Sequence, residues 1–329
     1  MSIIEVKKLN KIFIRHKKKP GLANSLKGLF SREKITTKAV DEISFNIDEG
    51  EIVGFLGPNG AGKTTTLKML SGILYPTSGE IKVNDFIPSE RKNEFKKSIG
   101  LVMGQKQQLM WDLPAADSFE LFKEIYQIPD KQYTDHLNRL TKLLDVTDFL
   151  NIQVRQLSLG QRMKMEIIAA LIHKPKILFL DEPTLGLDVV SQQNIREFFR
   201  AYNQEEKVTI LLTSHYMEDI KALCNRVLII NQGKLVYDDL LEKLTKEKIK
   251  TKTVKILLTR KTDESLSQFG KVIKHEGLYS ELEISNDQIA DVLKTLVNTF
   301  PIEDITIEDP EAEEIIRNFF QDSKNDISG

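Results

Sequence analysis

The sequence predicts an α/β chain built on a buried parallel sheet and followed by a smaller α+β unit. Three observations carry this. Residues 177–180 are a short, wholly apolar run, the pattern of a strand covered on both faces. Residues 208–213 and 226–230 repeat it, with a helical stretch between them. Residues 51–56 form a further apolar strand that runs into a glycine-rich loop, after which 64–74 read as a helix. At 329 residues the chain has room for about two domains with separate cores.

Taken in order, residues 3–14 (Ile3, Ile4, Val6, Leu9, Ile12, Phe13, Ile14) and 40–47 (Val40, Ile43, Phe45, Ile47) read as strands, the second by apolar–polar alternation. Between them, residues 15–38 are a basic insert with eight Lys/Arg and one Glu. Within it Leu22, Leu26, Leu29 and Phe30 follow helical spacing, so a short basic amphipathic helix is expected. Residues 118–128 and 133–150 read as helices, the second from Tyr133, Leu137, Leu140 and Leu144. Another helix, 161–173, is closed by Pro175. The first domain is expected over 1–238 and a linker over 239–252, the Lys-rich stretch 245–255, with few apolar residues, marking the boundary. Residues 253–329 then read as a strand (253–259), strands on either side of Gly277 (271–285), a helix (286–299), a strand (302–307) and a helix from Pro310. Glu311, Glu313 and Glu314 stand in the first turn of that last helix, where its dipole favours them.

Composition narrows the function. The chain is 40% apolar and 29% charged, which excludes disorder as its main state. Cys224 is the only cysteine, so no intramolecular disulfide forms, and a small buried apolar role is expected for it. No stretch approaches 18 consecutive apolar residues, so the chain is expected neither to span a membrane nor to be secreted. The net charge of −1 hides an asymmetry: residues 1–40 carry eleven Lys/Arg against two acids, and 301–329 carry two against nine.

Gly57, Pro58, Asn59, Gly60, Ala61, Gly62, Lys63 and Thr64 match the phosphate-loop pattern of Gly, four residues, Gly, Lys and Ser or Thr. Glycines let successive N–H groups converge on phosphate oxygens, and the helix that follows turns its positive end toward them. Lys63 can reach the β and γ phosphates, and the Thr64 hydroxyl can ligate Mg²⁺. The apolar strand 177–180 ends in Asp181, suited to the Mg²⁺ shell, and Glu182, suited to polarising the attacking water. The histidines His16, His136, His173 and His275 have no metal-ligand spacing.

About twenty residues before Asp181, Leu157, Ser158, Leu159, Gly160 and Gln161 closely resemble the signature sequence of ABC transporter ATPases. Gln105 resembles that family's Q-loop glutamine, Asp188 its D-loop aspartate and His215 its H-loop histidine; Phe13 matches the aromatic position that stacks on adenine. The resemblance covers about residues 3–238 and has two departures. One extra residue precedes Gln105, with Gln107 and Gln108 close by, and Leu159 replaces the commoner glycine. Phe13 also has a reading as strand core.

The resemblance implies a P-loop NTPase of ABC ATPase type: α/β, with an antiparallel β subdomain and an α-helical subdomain, plus the small C-terminal α+β domain. It implies ATP hydrolysis coupled to transport, with ATP and Mg²⁺ as cofactors. Glu182, His215 and Gln105 are then catalytic, and Thr64, Gln105 and Asp181 serve the metal. The nucleotide is held by Phe13, the loop from Gly57 to Thr64, Thr65, Ser158, Gly160, Gln161 and Asp188. A head-to-tail dimer is implied, each ATP lying between the phosphate loop of one subunit and the signature of the other. Ser158 and Gly160 precede a helix whose first amides suit a γ-phosphate, and a second complete phosphate site within one chain would serve nothing.

The implied partners are a second copy or paired ATPase subunit and separate integral membrane permeases, at the cytoplasmic face of the membrane. Gln105 to Pro114 matches the region that forms the permease groove, with Trp111 readable as groove or as core. The single ATPase unit with a small C-terminal α+β domain resembles ABC type 2 exporters of the daunorubicin-resistance-like group, so export is the expected direction. An importer ATPase is one alternative; a non-transport ABC ATPase acting on nucleic acid or ribosomes is another. Against the latter, one unit is present, and the 118 positions from Lys63 to Asp181 hold no long heptad run. The basic insert 15–38 suits anionic lipid or an acidic permease loop, or it is a solvated loop; nucleic acid is the weaker rival. The acidic C-terminal unit, with no catalytic constellation, reads as a dimerisation or regulatory domain.

Overall fold

The computed structural model describes residues 1–16, 34–104, 106–214, 216–248, 251–261 and 265–309. Gln105, His215, the amphipathic stretch at Leu22–Phe30 and the helix expected from Pro310 lie outside the described residues. The chain divides into two units, Met1–Asp239 and the part from Leu240 onward.

In the first unit the order is β1 (Ser2–His16), β2 (Lys34–Asp48), β3 (Ile52–Leu56), α1 (Lys63–Leu70), β4 (Ser78–Val83), α2 (Asn93–Ser98) and β5 (Ile99–Met103). It continues with α3 (Ala115–Tyr126), α4 (Asp130–Leu143), α5 (Leu159–Leu171), β6 (Ile177–Asp181), α6 (Val189–Glu206) and β7 (Thr209–Thr213). α7 (Met217–Leu223), β8 (Arg226–Asn231) and β9 (Lys234–Leu240) complete it.

Six strands form the sheet that positions the site, in the order β5-β6-β7-β3-β8-β9, with β5, β6, β7, β3 and β8 mutually parallel. Every residue of β6 and β7 is buried, which is why the centres of both read as apolar runs in the sequence. β2, β1 and β4 make a separate antiparallel sheet, and α3, α4 and α5 supply the helical subdomain. At the outer edge of β5, the His173 ring donates to the Ile99 carbonyl (2.9 Å) and the Gln108 side chain to that of Leu101 (2.8 Å). Those two bonds cap carbonyls that a further strand would otherwise pair.

Several boundaries differ from the sequence reading. The helix expected over 64–74 stops at Leu70, because Gly72 takes a left-handed φ of 72° and a Cβ there would meet the Pro88 carbonyl at 2.4 Å. The helix expected over 133–150 is α4 followed by a Schellman cap: Asp145 is left-handed, and its N–H and that of Val146 donate to the carbonyls of Lys142 and Thr141. The apolar period runs on through the cap because Leu144 and Val146 are themselves buried. The strands reach further into the basic insert than expected, with Ile12 to His16 paired on Lys38 to Lys34, so Arg15 and Lys38 belong to the β1–β2 ladder. α6 went unread although Ile195, Phe198, Phe199 and Tyr202 follow helical spacing and are buried.

The second unit holds α8 (Leu241–Lys248), β10 (Thr251–Leu258), β11 (Lys271–Glu276), β12 (Tyr279–Ser285), α9 (Ile289–Thr299) and β13 (Ile302–Glu308). The stretch read as a linker over 239–252 is thus mostly helix followed by the start of a strand. In β10, Val254, Ile256 and Leu258 are buried, and Lys255 between them sits on the opposite face, which gives the stretch its polar look. The sheet runs β11-β12-β10-β13, and α9 closes one face with Leu296 against Val254, Ile256, Leu282 and Ile284. Phe269 and Phe300 meet edge to face at 5.7 Å in the same core.

Candidate nucleotide site

Between β3 and α1 the chain passes through positions that only glycine fits. A Cβ on Gly57 would lie 2.2 Å from the Ile230 carbonyl, and one on Gly62, at φ 115°, would lie 2.4 Å from that of Ala39. Gly60, at φ 80°, is exposed and has nothing within 4 Å of such a Cβ, so its backbone stands open to a ligand. The buried Lys63 curls back inside the loop, donating to the carbonyls of Gly57 (2.6 Å) and Pro58 (3.3 Å). Burial lowers its pKa from the ordinary lysine range, while the nearby Glu182 and Asp181 pull it back up. The first amides of α1, at Lys63, Thr64 and Thr65, have no intrahelical partner, and Gly62 at the N-cap gives them no side-chain cap.

Strand register brings the second half of the site alongside. Asp181 ends β6 opposite Thr213 at the end of β7. Its carboxylate accepts from the Thr213 hydroxyl (2.8 Å) and from the Thr64 hydroxyl (2.9 Å to Oδ2), so loop, β6 and β7 meet at one buried acid. Glu182 follows in a left-handed conformation, φ 57°, its N–H bonded to the carbonyl (3.0 Å) and hydroxyl (3.2 Å) of Thr213. A non-glycine residue held so is strained by roughly 1–3 kcal/mol, and the two bonds hold it there. Gly104 closes the site from β5: its N–H bonds the Asp181 carbonyl (2.8 Å), and a Cβ on it would fall 2.3 Å from that of Glu182.

These residues fit a nucleotide with Mg²⁺. The oxygen donors of Thr64 and Asp181 are hard and few, the set expected where phosphates and waters complete the shell. Among the described residues no group of three or more His, Cys, Asp or Glu makes a cage of its own.

The signature residues lie elsewhere. Ser158 caps α5 in a capping box: its hydroxyl accepts the Gln161 N–H (3.2 Å), and the Gln161 side chain accepts the Ser158 N–H (2.9 Å). Gln161, predicted to touch nucleotide, is therefore engaged as a cap. Gly160 lets α6 approach, since a Cβ there would meet the Ser191 hydroxyl at 2.5 Å. Asp188 caps α6 through Ser191 (2.8 and 2.6 Å), and the Ser191 hydroxyl holds its carboxyl below the usual carboxylate range. Leu159 (45% exposed), Val189 (75%) and Val190 (69%) leave this face apolar and open.

α5 packs along β5, away in the sheet order from the β3 that carries the phosphate loop. Its last turn packs on the start of β5, where a Cβ on Gly100 would meet the Ala170 carbonyl at 2.5 Å. In mid-helix, Glu166 accepts the N–H groups of Gln108 and Leu109, just past the other end of β5. The helix start continues beyond that edge, and β5 is three strands from β3, about 14 Å sideways.

Phe13 is half-buried on β1, with the Lys11 ammonium 5.3 Å from its ring centre. Trp111 is 42% exposed and stacks on the Arg162 guanidinium at 4.5 Å, so it is not a core residue. Gln108 is committed to Leu101 and Glu166. Sequence reasoning missed Thr213, Gly104 and Ser191, because each acts through strand register or helix packing and none belongs to a local motif.

Comparison with known proteins places the chain in a family. The ABC transporter family model matches residues 40–185, and that of the EvrA-like ABC transporter C-terminal domain matches 250–308. The ABC transporter ATP-binding protein NatA of Bacillus subtilis is 39% identical over 215 residues, 65% of this chain and 87% of that protein. The chain belongs to the ABC transporter ATP-binding family. Linearmycin resistance ATP-binding protein LnrL of the same organism is 34% identical over 65% of this chain and 67% of its own. A dimeric structure of the bacterial ABC transporter cassette MJ0796 superimposes with a TM-score of 0.59 at 25% identity, covering 72% of this chain and 98% of that one. As an ABC ATP-binding subunit the chain binds ATP with Mg²⁺ and hydrolyses it to drive transport. ABC ATPase domains dimerise and work with membrane permeases, and among the described residues no helix is long and apolar enough to cross a membrane itself.

Gly62→Ala is expected to destabilise the first unit by about 1–3 kcal/mol and to abolish ATP binding, because the loop must shift to clear the Ala39 carbonyl. Thermal unfolding and a fluorescent-nucleotide titration check it.

Proposed function

We propose that this chain is the motor of an exporter, working as a head-to-tail homodimer that closes on two ATP molecules. The observation that carries the reading is the separation between the phosphate loop and the signature face. Ser158 and the apolar trio Leu159, Val189 and Val190 are exposed at the starts of α5 and α6, and α5 packs on β5, three strands across the sheet from the β3 that carries the loop. A second copy, rotated by a two-fold axis, brings that surface over its partner's Gly60. The resistance role in the name of LnrL, with the C-terminal domain match, supports export over import.

In this reading Lys63 and the first amides of α1 hold the β and γ phosphates, and the half-buried ring of Phe13 stacks on the base. Mg²⁺, held by Thr64 and Asp181, would neutralise developing phosphate charge. Glu182, fixed by Thr213, polarises the attacking water. Gln105, next to Gly104, and His215, next to Ser214, complete the γ-phosphate side by their places in the sequence. Ser158 and Gly160 of the second copy hold the same phosphate from above, and its loss on hydrolysis releases the two surfaces. The unit Met1–Asp239 is the motor, and the unit from Leu240 onward stabilises or regulates the dimer.

With Glu182→Gln, ATP binding is expected to persist while turnover falls at least about a hundredfold and closed dimers accumulate in size-exclusion chromatography. Near-normal turnover would remove Glu182 as the base. Removing residues 253–329 from that variant is expected to change the dimer fraction while ATP binding holds.

The basic insert is proposed to rest on anionic lipid at the cytoplasmic face, with Lys17, Lys18 and Lys19 supplying charge at about 1 kcal/mol each near the surface. Replacing all three by Ala is expected to weaken binding to phosphatidylserine vesicles by at least about tenfold at low salt; unchanged binding contradicts the contact.

A further inference from the structure

One buried charged pair has no part in the scheme above. Asp219, in the first turn of α7, is 1% exposed, and Arg196, on α6, is 7% exposed. The Arg196 guanidinium stands 3.4 Å from Asp219 Oδ1, a contact between charges without a hydrogen bond. The other oxygen, Oδ2, accepts two short bonds, from the Thr184 hydroxyl (2.5 Å) and the Ser214 hydroxyl (2.6 Å). Ser214 Oγ also accepts the Tyr216 N–H (3.0 Å), and the Asp219 N–H returns to the Tyr216 carbonyl (3.2 Å).

The three partners come from three different segments. Thr184 lies two residues past Glu182 in the turn after β6, where the Leu185 N–H bonds back to the Glu182 carbonyl (3.3 Å). Ser214 directly follows β7 and precedes His215. Arg196 is two turns along the helix that Asp188 caps. A buried ion pair is a poor source of net stability, since desolvation cancels most of the attraction. What a buried carboxylate with two convergent hydroxyl donors does supply is a fixed distance between the loops that carry them.

We propose that Asp219 is a positioning residue for ATP hydrolysis. It locks the turn after β6 to the turn after β7, and so sets where Glu182 stands relative to the phosphate loop. The inference rests on Glu182 being the water-polarising group. Thr213 holds the Glu182 backbone from below and Asp219 holds the chain just beyond it, so the left-handed Glu182 is pinned on both sides. Misplacing a reacting group by about 1 Å costs up to a hundredfold in rate with little effect on binding.

The test uses the full-length chain and steady-state MgATP kinetics on variants that leave the Arg196–Asp219 pair intact. Thr184→Val and Ser214→Ala are each expected to lower kcat about tenfold with KM within about twofold, and Thr184→Ser to restore kcat to within about twofold of the parent. Asp219→Asn is expected to fall at least as far, and where it lowers the yield of folded protein the two hydroxyl variants decide. A purely structural role would lower the melting temperature and leave kcat unchanged. The proposal is overturned if Thr184→Val and Ser214→Ala both keep kcat within about twofold, if KM rises in step with the loss, or if Thr184→Ser fails to rescue. Full turnover by Glu182→Gln would overturn the assignment of the base alone, since the hydroxyl variants report on loop position whichever group polarises the water.

Discussion

Asp181 is the acid on which the catalytic half of this molecule is assembled. Its carboxylate is gripped by one hydroxyl from the helix after the phosphate loop and by another from the end of β7. Three elements distant in sequence therefore converge on one buried group, and burial makes each bond worth more than it would be in water. The strand order makes this possible: β6 and β7 adjoin, and β7 adjoins β3, so their carboxyl ends open into one crevice with the loop. Lys63 and Glu182 complete a patch in which the acids raise the lysine pKa against the pull of burial.

Around that point the chain divides its labour by rigidity. The helical subdomain holds the segment after β5 firmly: Glu166 accepts two of its amides, Arg162 stacks on Trp111, and Ser118 accepts the Met110 N–H (3.0 Å). Burial raises the Glu166 pKa while those amides stabilise its charged form. Residues 108–111 and the helix that begins at Ser158 thus share a frame.

The sequence displayed the chemistry more clearly than the architecture. The phosphate loop, Asp181–Glu182 and the signature are local patterns, since neighbouring residues must serve one ligand, and all are legible without coordinates. So were strands β6 and β7, whose burial on both faces gives them apolar centres at 177–180 and 210–212. Less legible were features set by distant partners. The end of α4 was hidden because buried Leu144 and Val146 extend the apolar period through a cap, and β10 was hidden because its lysines alternate with its core residues. Thr213 and Asp219 carry no signal at all, being ordinary residues until strand register and helix packing place them.

The central claim is that two copies complete each other's reaction centres, and cross-linking across the subunits tests it most directly. Cysteines at Ser158 and at Asn59, exposed beside the conformationally restricted Gly60, are introduced separately into the Glu182→Gln chain, and the two proteins are mixed with MgATP. The native Cys224 is buried, its thiol pKa pushed up by desolvation, and stays out of the reaction. The account predicts an ATP-dependent intermolecular disulfide between the Ser158→Cys and Asn59→Cys subunits. A trapped dimer that forms no such bond, or that forms it equally without nucleotide, would contradict it.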